Sequence, residues 1–132
     1  MTRSPYPVAV VGVGHMGGAM AANLLTRGWP VQVCDLVPER MHALASLGAG
    51  VHDHPASAAV TSDATIVCVV DAVQCEQVLF GPQGLALAVP AGHTVLLCPT
   101  IAPQDTESLA QRLVARAGDR LALKRRKHHR NN

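Results

Sequence analysis

The chain has 132 residues, enough for one domain with a real core, and its 48% apolar content comes from Ala, Val and Leu with only 2% aromatic residues. So few aromatics argue against a base-stacking nucleic-acid surface, and no apolar run reaches the roughly 18 residues of a membrane helix. The net charge of +2 divides unevenly: Lys124, Arg125, Arg126, Lys127 and Arg130 crowd the C-terminal end, while the remainder sets six arginines against nine acidic residues.

Strand and helix signals alternate along the chain, as in a parallel sheet built from βαβ units. A first strand is predicted over Val8–Gly12 and a small-residue helix over His15–Arg27, stopped by Gly28 and Pro30. A second strand follows over Val31–Asp35, then a helix over Pro38–Leu47 with Gly48 after its end. Gly50–Val51 is a very short third strand and Pro55–Val60 a helical turn. Thr65–Val70 is the continuous apolar run of a strand covered on both faces. A helix over Asp71–Phe80, with Asp71 as its N-cap, leads to the turn Gly81-Pro82-Gln83-Gly84. A further strand is expected at His93–Cys98, and a closing helix at Pro103–Ala117 with Leu109, Leu113, Val114 and Ala117 as its apolar stripe.

The first strand runs into Gly12-x-Gly14-x-x-Gly17, the turn that cradles a dinucleotide pyrophosphate at a helix N-terminus. Gly12 allows the tight turn, Gly14 lets backbone approach the phosphates, and Gly17 lets helix and strand pack closely. Asp35 ends the second strand 18 residues beyond Gly17, near the spacing of about 20 expected for the carboxylate that binds an adenosine ribose. A carboxylate there accepts the ribose hydroxyls and repels a 2′-phosphate, so NAD is favoured over NADP. The plain alternative for Asp35 is a solvated turn residue. Arg40, five residues on, is expected to face solvent from the next helix. In a parallel sheet, ligands sit at the carboxyl ends of strands. Four loops therefore converge on one crevice: 12–17, 35–37, 69–74 and 99–103.

Other features take ordinary readings. His52-Asp53-His54 lacks the further ligands of a metal site and is expected to be a polar strand-to-loop junction. Cys34, Cys68, Cys75 and Cys98 show no CxxC spacing and are expected to be buried thiols of a cytoplasmic protein. The basic end carries no interleaved aromatic residue, so it implies weak electrostatic binding and no specific nucleic-acid partner.

The run Gly12-Val13-Gly14-His15-Met16-Gly17-Gly18-Ala19-Met20-Ala21-Ala22-Asn23-Leu24 resembles the opening pattern of the β-hydroxyacid dehydrogenases related to 3-hydroxyisobutyrate dehydrogenase. Those enzymes share a 6-phosphogluconate-dehydrogenase-type N-terminal domain. The resemblance extends to Val69, Val70 and Gln74 after the fourth strand, with Val70 in place of the family's Pro, and to Leu79-Phe80-Gly81-Pro82-Gln83-Gly84-Leu85. It continues in Pro99-Thr100-Ile101-Ala102-Pro103, where Pro99 replaces the usual Ser; this stretch is similar to the L-threonate dehydrogenase-like branch. It implies a Rossmann-type, doubly wound α/β domain over residues 1–118, followed by a basic, disordered tail over 119–132. It also implies a cofactor site made by Gly12, Val13, Gly14, His15, Met16, Gly17, Asp35, Val69, Val70, Gln74 and Thr100.

In the family an all-helical second domain with a catalytic Lys follows, and a small hydroxy acid is the substrate. Lys124 and Lys127 lack the matching context, so the C-terminal end is expected to reflect truncation or a frame shift, and no catalytic residue is assigned. The expected role is the NAD(P)-binding domain of an oxidoreductase, not catalytically competent alone. The alternative is a non-catalytic dinucleotide-binding or interaction module with a basic tail. A sheet lacking its sixth strand would expose an apolar surface and favour self-association.

Overall fold

The computed structural model describes residues 6–98 and 101–121. Five parallel strands form one sheet: β1 (Val8–Val11), β2 (Val31–Cys34), β3 (Gly50–His52), β4 (Ala64–Val67) and β5 (Thr94–Leu97). Their order is β3-β2-β1-β4-β5, so the chain winds one way from β1 to β3 and then crosses to the other side of β1. The helices are α1 (His15–Thr26), α2 (Glu39–Ser46), α3 (Pro55–Val60), α4 (Ala72–Phe80) and α5 (Pro103–Ala117). None of the helices among the described residues is long and apolar enough to cross a membrane.

Both faces of the sheet are covered, which is why its central strands are nearly all apolar. On one face Val8, Val10, Val31 and Val33 pack with Ala21 of α1 and Met41 and Leu44 of α2. Toward β4 and β5, Val67 packs on the other face with Cys75 and Leu79 of α4 and Leu109, Leu113 and Ala117 of α5. This second cluster also takes in Leu85 and Ala86 from a short 3-10 turn, Leu85–Leu87, a segment too short to show a period.

Two expectations change. The fourth strand stops at Val67, and Val69 and Val70 lie in the loop beyond it. Its neighbour β1 ends at Val11, and after Cys68 has donated its N–H to the Val11 carbonyl there is no further ladder to join. In α5 the apolar stripe is Leu109, Leu113 and Ala117, while Val114 is 43% exposed, rotated off the core face by its place between turns. Beyond α5, Leu121 bridges His93 in parallel and the Arg120 carbonyl accepts the Gly92 N–H, so the chain returns alongside the start of β5.

Candidate dinucleotide-binding site

The reversal of strand order places the loops after β1 and β4 side by side at the carboxyl edge of the sheet. Gly12 donates to the Cys34 carbonyl at 2.8 Å, Cys68 to Val11 at 2.8 Å and Cys98 to Val67 at 2.9 Å, so one row of hydrogen bonds forms the rim. Above it opens a cleft of about 950 Å³, large enough for a cofactor.

The three motif glycines differ in what demands them. Gly12 has φ +90°, and a Cβ there would lie 2.6 Å from the Cys68 carbonyl oxygen. A Cβ on Gly17 would lie 1.9 Å from the Gly12 carbonyl oxygen. Protein packing alone therefore requires both. Around Gly14 the nearest atom a Cβ would meet is Arg40 Nη1 at 3.8 Å, an ordinary contact. Gly14 also N-caps α1 without a side chain, leaving the helix's first N–H groups without a side-chain cap. The helix holds no acidic residue in its first turn, so its positive end is uncompensated by its own sequence.

Asp35 lies across from this turn with its side chain only 6% exposed. Its Oδ2 accepts the Val13 N–H and its Oδ1 the Val37 N–H, each at 2.8 Å. Arg40 is half exposed to solvent, as expected, and also turns toward this site. From the second residue of α2 its guanidinium reaches back to within 3.7 Å of Asp35 Oδ1 and lines the cleft. The negative charge of Asp35 is what draws it there. Burial, and then the charges of Asp35 and Asp53, push the Cys34 thiol beneath up to about 11, so it stays protonated at neutral pH.

Across the cleft, the Asp71 carboxylate caps α4 by accepting the Gln74 N–H at 2.8 Å, as the sequence predicts. Gln74 returns the contact, its Oε1 accepting the Val70 N–H at 2.9 Å. These reciprocal bonds fix the loop that carries Val69 and Val70.

Gly12, Gly14, His15, Met16, Gly17, Asp35, Val69, Val70 and Gln74 all line the cleft. Val13 does not: its side chain is buried in the core beside α1, and only its N–H serves the site, through Asp35. Thr100 lies outside the described residues. Leu36, 84% exposed beside Asp35, lies in the 35–37 loop that the sequence placed at the crevice, whereas sequence reasoning missed the Asp53-His54-Pro55 corner that lines the cleft beyond β3. Its place at the carboxyl end of β3 was the available signal. The neighbouring His52 is tied by its ring nitrogens to Gln32 and Ser57, at 2.6 and 3.1 Å. Cys34 and Cys75 are buried as expected, whereas Cys68 and Cys98 are only partly buried and line the cleft.

Fold and cleft together define a doubly wound, Rossmann-type dinucleotide-binding domain. Residues 7–122 match the NAD binding domain of 6-phosphogluconate dehydrogenase, and the chain belongs to that family of nicotinamide-dinucleotide-binding domains. It is 38% identical to the L-threonate dehydrogenase of Cupriavidus necator over 106 residues, which cover 80% of this chain and 36% of the relative. The crystal structure of 3-hydroxyisobutyrate dehydrogenase (ygbJ) from Salmonella typhimurium superposes with a TM-score of 0.78 at 32% identity, covering 88% of this chain and 39% of that one. Psf3 in complex with NADP+ and 2-OPP superposes with a TM-score of 0.77 at 26% identity, over 86% of this chain and 40% of that one. The chain thus spans well under half the length of these relatives.

Proposed function

We propose that the chain binds NAD in this cleft, as the cofactor half of a β-hydroxyacid dehydrogenase that moves a hydride between a 3-hydroxy acid and nicotinamide. The observation that carries the reading is the space at Gly14. Packing explains the other two glycines of the turn, and the open space at Gly14 supports the close approach of a ligand there. The pyrophosphate then lies over Gly14 and the N-terminal N–H groups of α1, where backbone donors and the helix dipole favour an anion. The adenosine ribose hydroxyls bond Asp35, and Leu36 offers apolar cover beside it. The nicotinamide half extends over Val69 and Val70. Nothing in the described residues takes an acid-base role, and the substrate-selecting groups are assigned to parts of the relatives that this chain does not span. The kinship with an L-threonate and a 3-hydroxyisobutyrate dehydrogenase supports a small hydroxy acid as the substrate class.

A second reading, acceptance of NADP, has one specific support: the Arg40 guanidinium beside Asp35 offers a cation to a 2′-phosphate. The nearly buried Asp35 carboxylate is taken to repel a 2′-phosphate more than the half-exposed Arg40 attracts it, which favours NAD. Calorimetric titration of the full chain with each dinucleotide tests both readings. One NAD per chain is expected, with NADP at least about tenfold weaker. Equal affinities would establish the second reading, and no heat or thermal shift with millimolar NAD would overturn the first.

A further inference from the structure

Cys68 and Cys98 line the floor of the cleft, with the Met20 sulfur of α1 against Cys68, and the dinucleotide reading gives these sulfurs no role. Along β4 the side chains alternate: Ile66 packs on the α1 face and Val67 in the opposite cluster with α4 and α5. Cys68, next in sequence, returns to the α1 face, where its Sγ stands 3.9 Å from the Met20 Sδ of α1. Leu97 of β5 pairs with Val67 and packs in the same opposite cluster, so Cys98 also falls on the α1 face, beside Cys68. Burial, and then the adjoining Cys98 thiol, push the Cys68 thiol up to about 11, which marks the two sulfurs as close neighbours.

We propose that Cys68, Cys98 and Met20 form a binding site for a soft monovalent metal ion of the Cu(I) class. Two thiolates and a thioether are the donor set such ions select, whereas harder divalent ions prefer nitrogen and oxygen. The spacing fits as well. A metal–sulfur bond of about 2.3 Å separates sulfurs around a three- or four-coordinate ion by about 3.8–4.0 Å, and the Cys68–Met20 separation is 3.9 Å. Cys68 and Cys98 both line the open cleft, so an ion has an entry path. Binding converts two thiols to thiolates and releases two protons, without oxidation of metal or sulfur. Because metal binding displaces protons from its thiol ligands, apparent affinity should rise with pH.

The test is anaerobic titration of the reduced full chain with Cu(I) against a chromophoric Cu(I) chelator, with circular dichroism followed in parallel. One equivalent held by the folded chain is expected. Cys98→Ser and Met20→Leu, both of which leave the tight packing of Cys68 under Gly17 undisturbed, should each weaken retention at least tenfold, while Cys34→Ser should not. The proposal is overturned if both variants hold copper as firmly as the unmodified chain, if Cys34→Ser alone abolishes retention, or if uptake occurs only as the folded signal is lost. These readouts use no dinucleotide, so the result stands independently of NAD binding.

Discussion

The Asp35 carboxylate accepts the Val13 backbone N–H at 2.8 Å and so fastens the end of β2 to the middle of the glycine turn. Its other oxygen holds the Val37 N–H, which makes this nearly buried side chain a brace for two loops as well as a ribose acceptor. The two duties are compatible. An ionised carboxylate offers about four acceptor positions, and the backbone uses two.

Asp35→Ala should therefore injure both fold and site. It leaves two backbone donors without their partner, at a cost of about 1–3 kcal/mol, and removes the ribose contact. Urea unfolding should register the loss of stability, and calorimetry a fall in NAD affinity of at least about tenfold with a smaller change for NADP. Unchanged stability would rule out the brace, whatever happens to binding.

The motif glycines should separate by experiment. Gly14→Ala is expected to leave the unfolding midpoint unchanged while NAD affinity drops more than about tenfold, because its Cβ occupies only ligand space. Gly17→Ala brings a Cβ to 1.9 Å from the Gly12 carbonyl oxygen, a position that backbone cannot vacate without moving the turn. Its cost should be of the overpacking kind, about 1–3 kcal/mol or more, read by thermal unfolding without any ligand. If Gly14→Ala unfolds as readily as Gly17→Ala, the division between packing and ligand roles fails.

Much of this was legible beforehand because the strands are rich in Val, Ile and Thr and several helix starts carry their own mark. Pro55 and Pro103 open two helices, and Asp71 caps a third. What escaped depended on contacts between distant residues. Nothing local to Thr65–Val70 says that β1 runs out at Val11 and leaves Val69 and Val70 in a loop. Arg40 is half exposed as its position suggested, but its reach to Asp35 depends on how the turn into α2 folds back. Leu85 and Ala86 form too short a segment to show a period, yet they are buried between α4 and α5.

The phase of α5 offers a direct check of core assignment. Leu113 is buried among Leu79, Leu85 and Leu109, whereas Val114, its neighbour, is 43% exposed. Leu113→Ala should cost about 2–5 kcal/mol through lost burial and the cavity left behind. Val114→Ala should stay within about 0.5–1 kcal/mol, since it empties little buried space and Ala favours a helix. Denaturant midpoints would reverse this order if the stripe ran through Val114.

Below the cleft, His93 makes stability depend on pH. The ring is buried at the start of β5, with Nδ1 against the Ser62 carbonyl at 3.1 Å and Nε2 against Thr65 Oγ1 at 2.7 Å. A carbonyl only accepts, so Nδ1 carries the proton and Nε2 accepts the Thr65 hydroxyl. That neutral tautomer satisfies both nitrogens. Burial, the largest influence, holds the His93 pKa below its ordinary 6.5, while the Ser62 bond and the Asp63 charge oppose the shift in part. The unfolded chain therefore binds this proton more readily than the folded one. His93's contribution is complete above pH 6.5 and declines as pH falls through the lowered folded value, beneath which it changes no further. Urea unfolding of the chain between pH 7.5 and 5 should show this decline, and His93→Gln should lose that part of the slope while being less stable at pH 7.5. Identical slopes in the two proteins would show that His93 is not the group responsible.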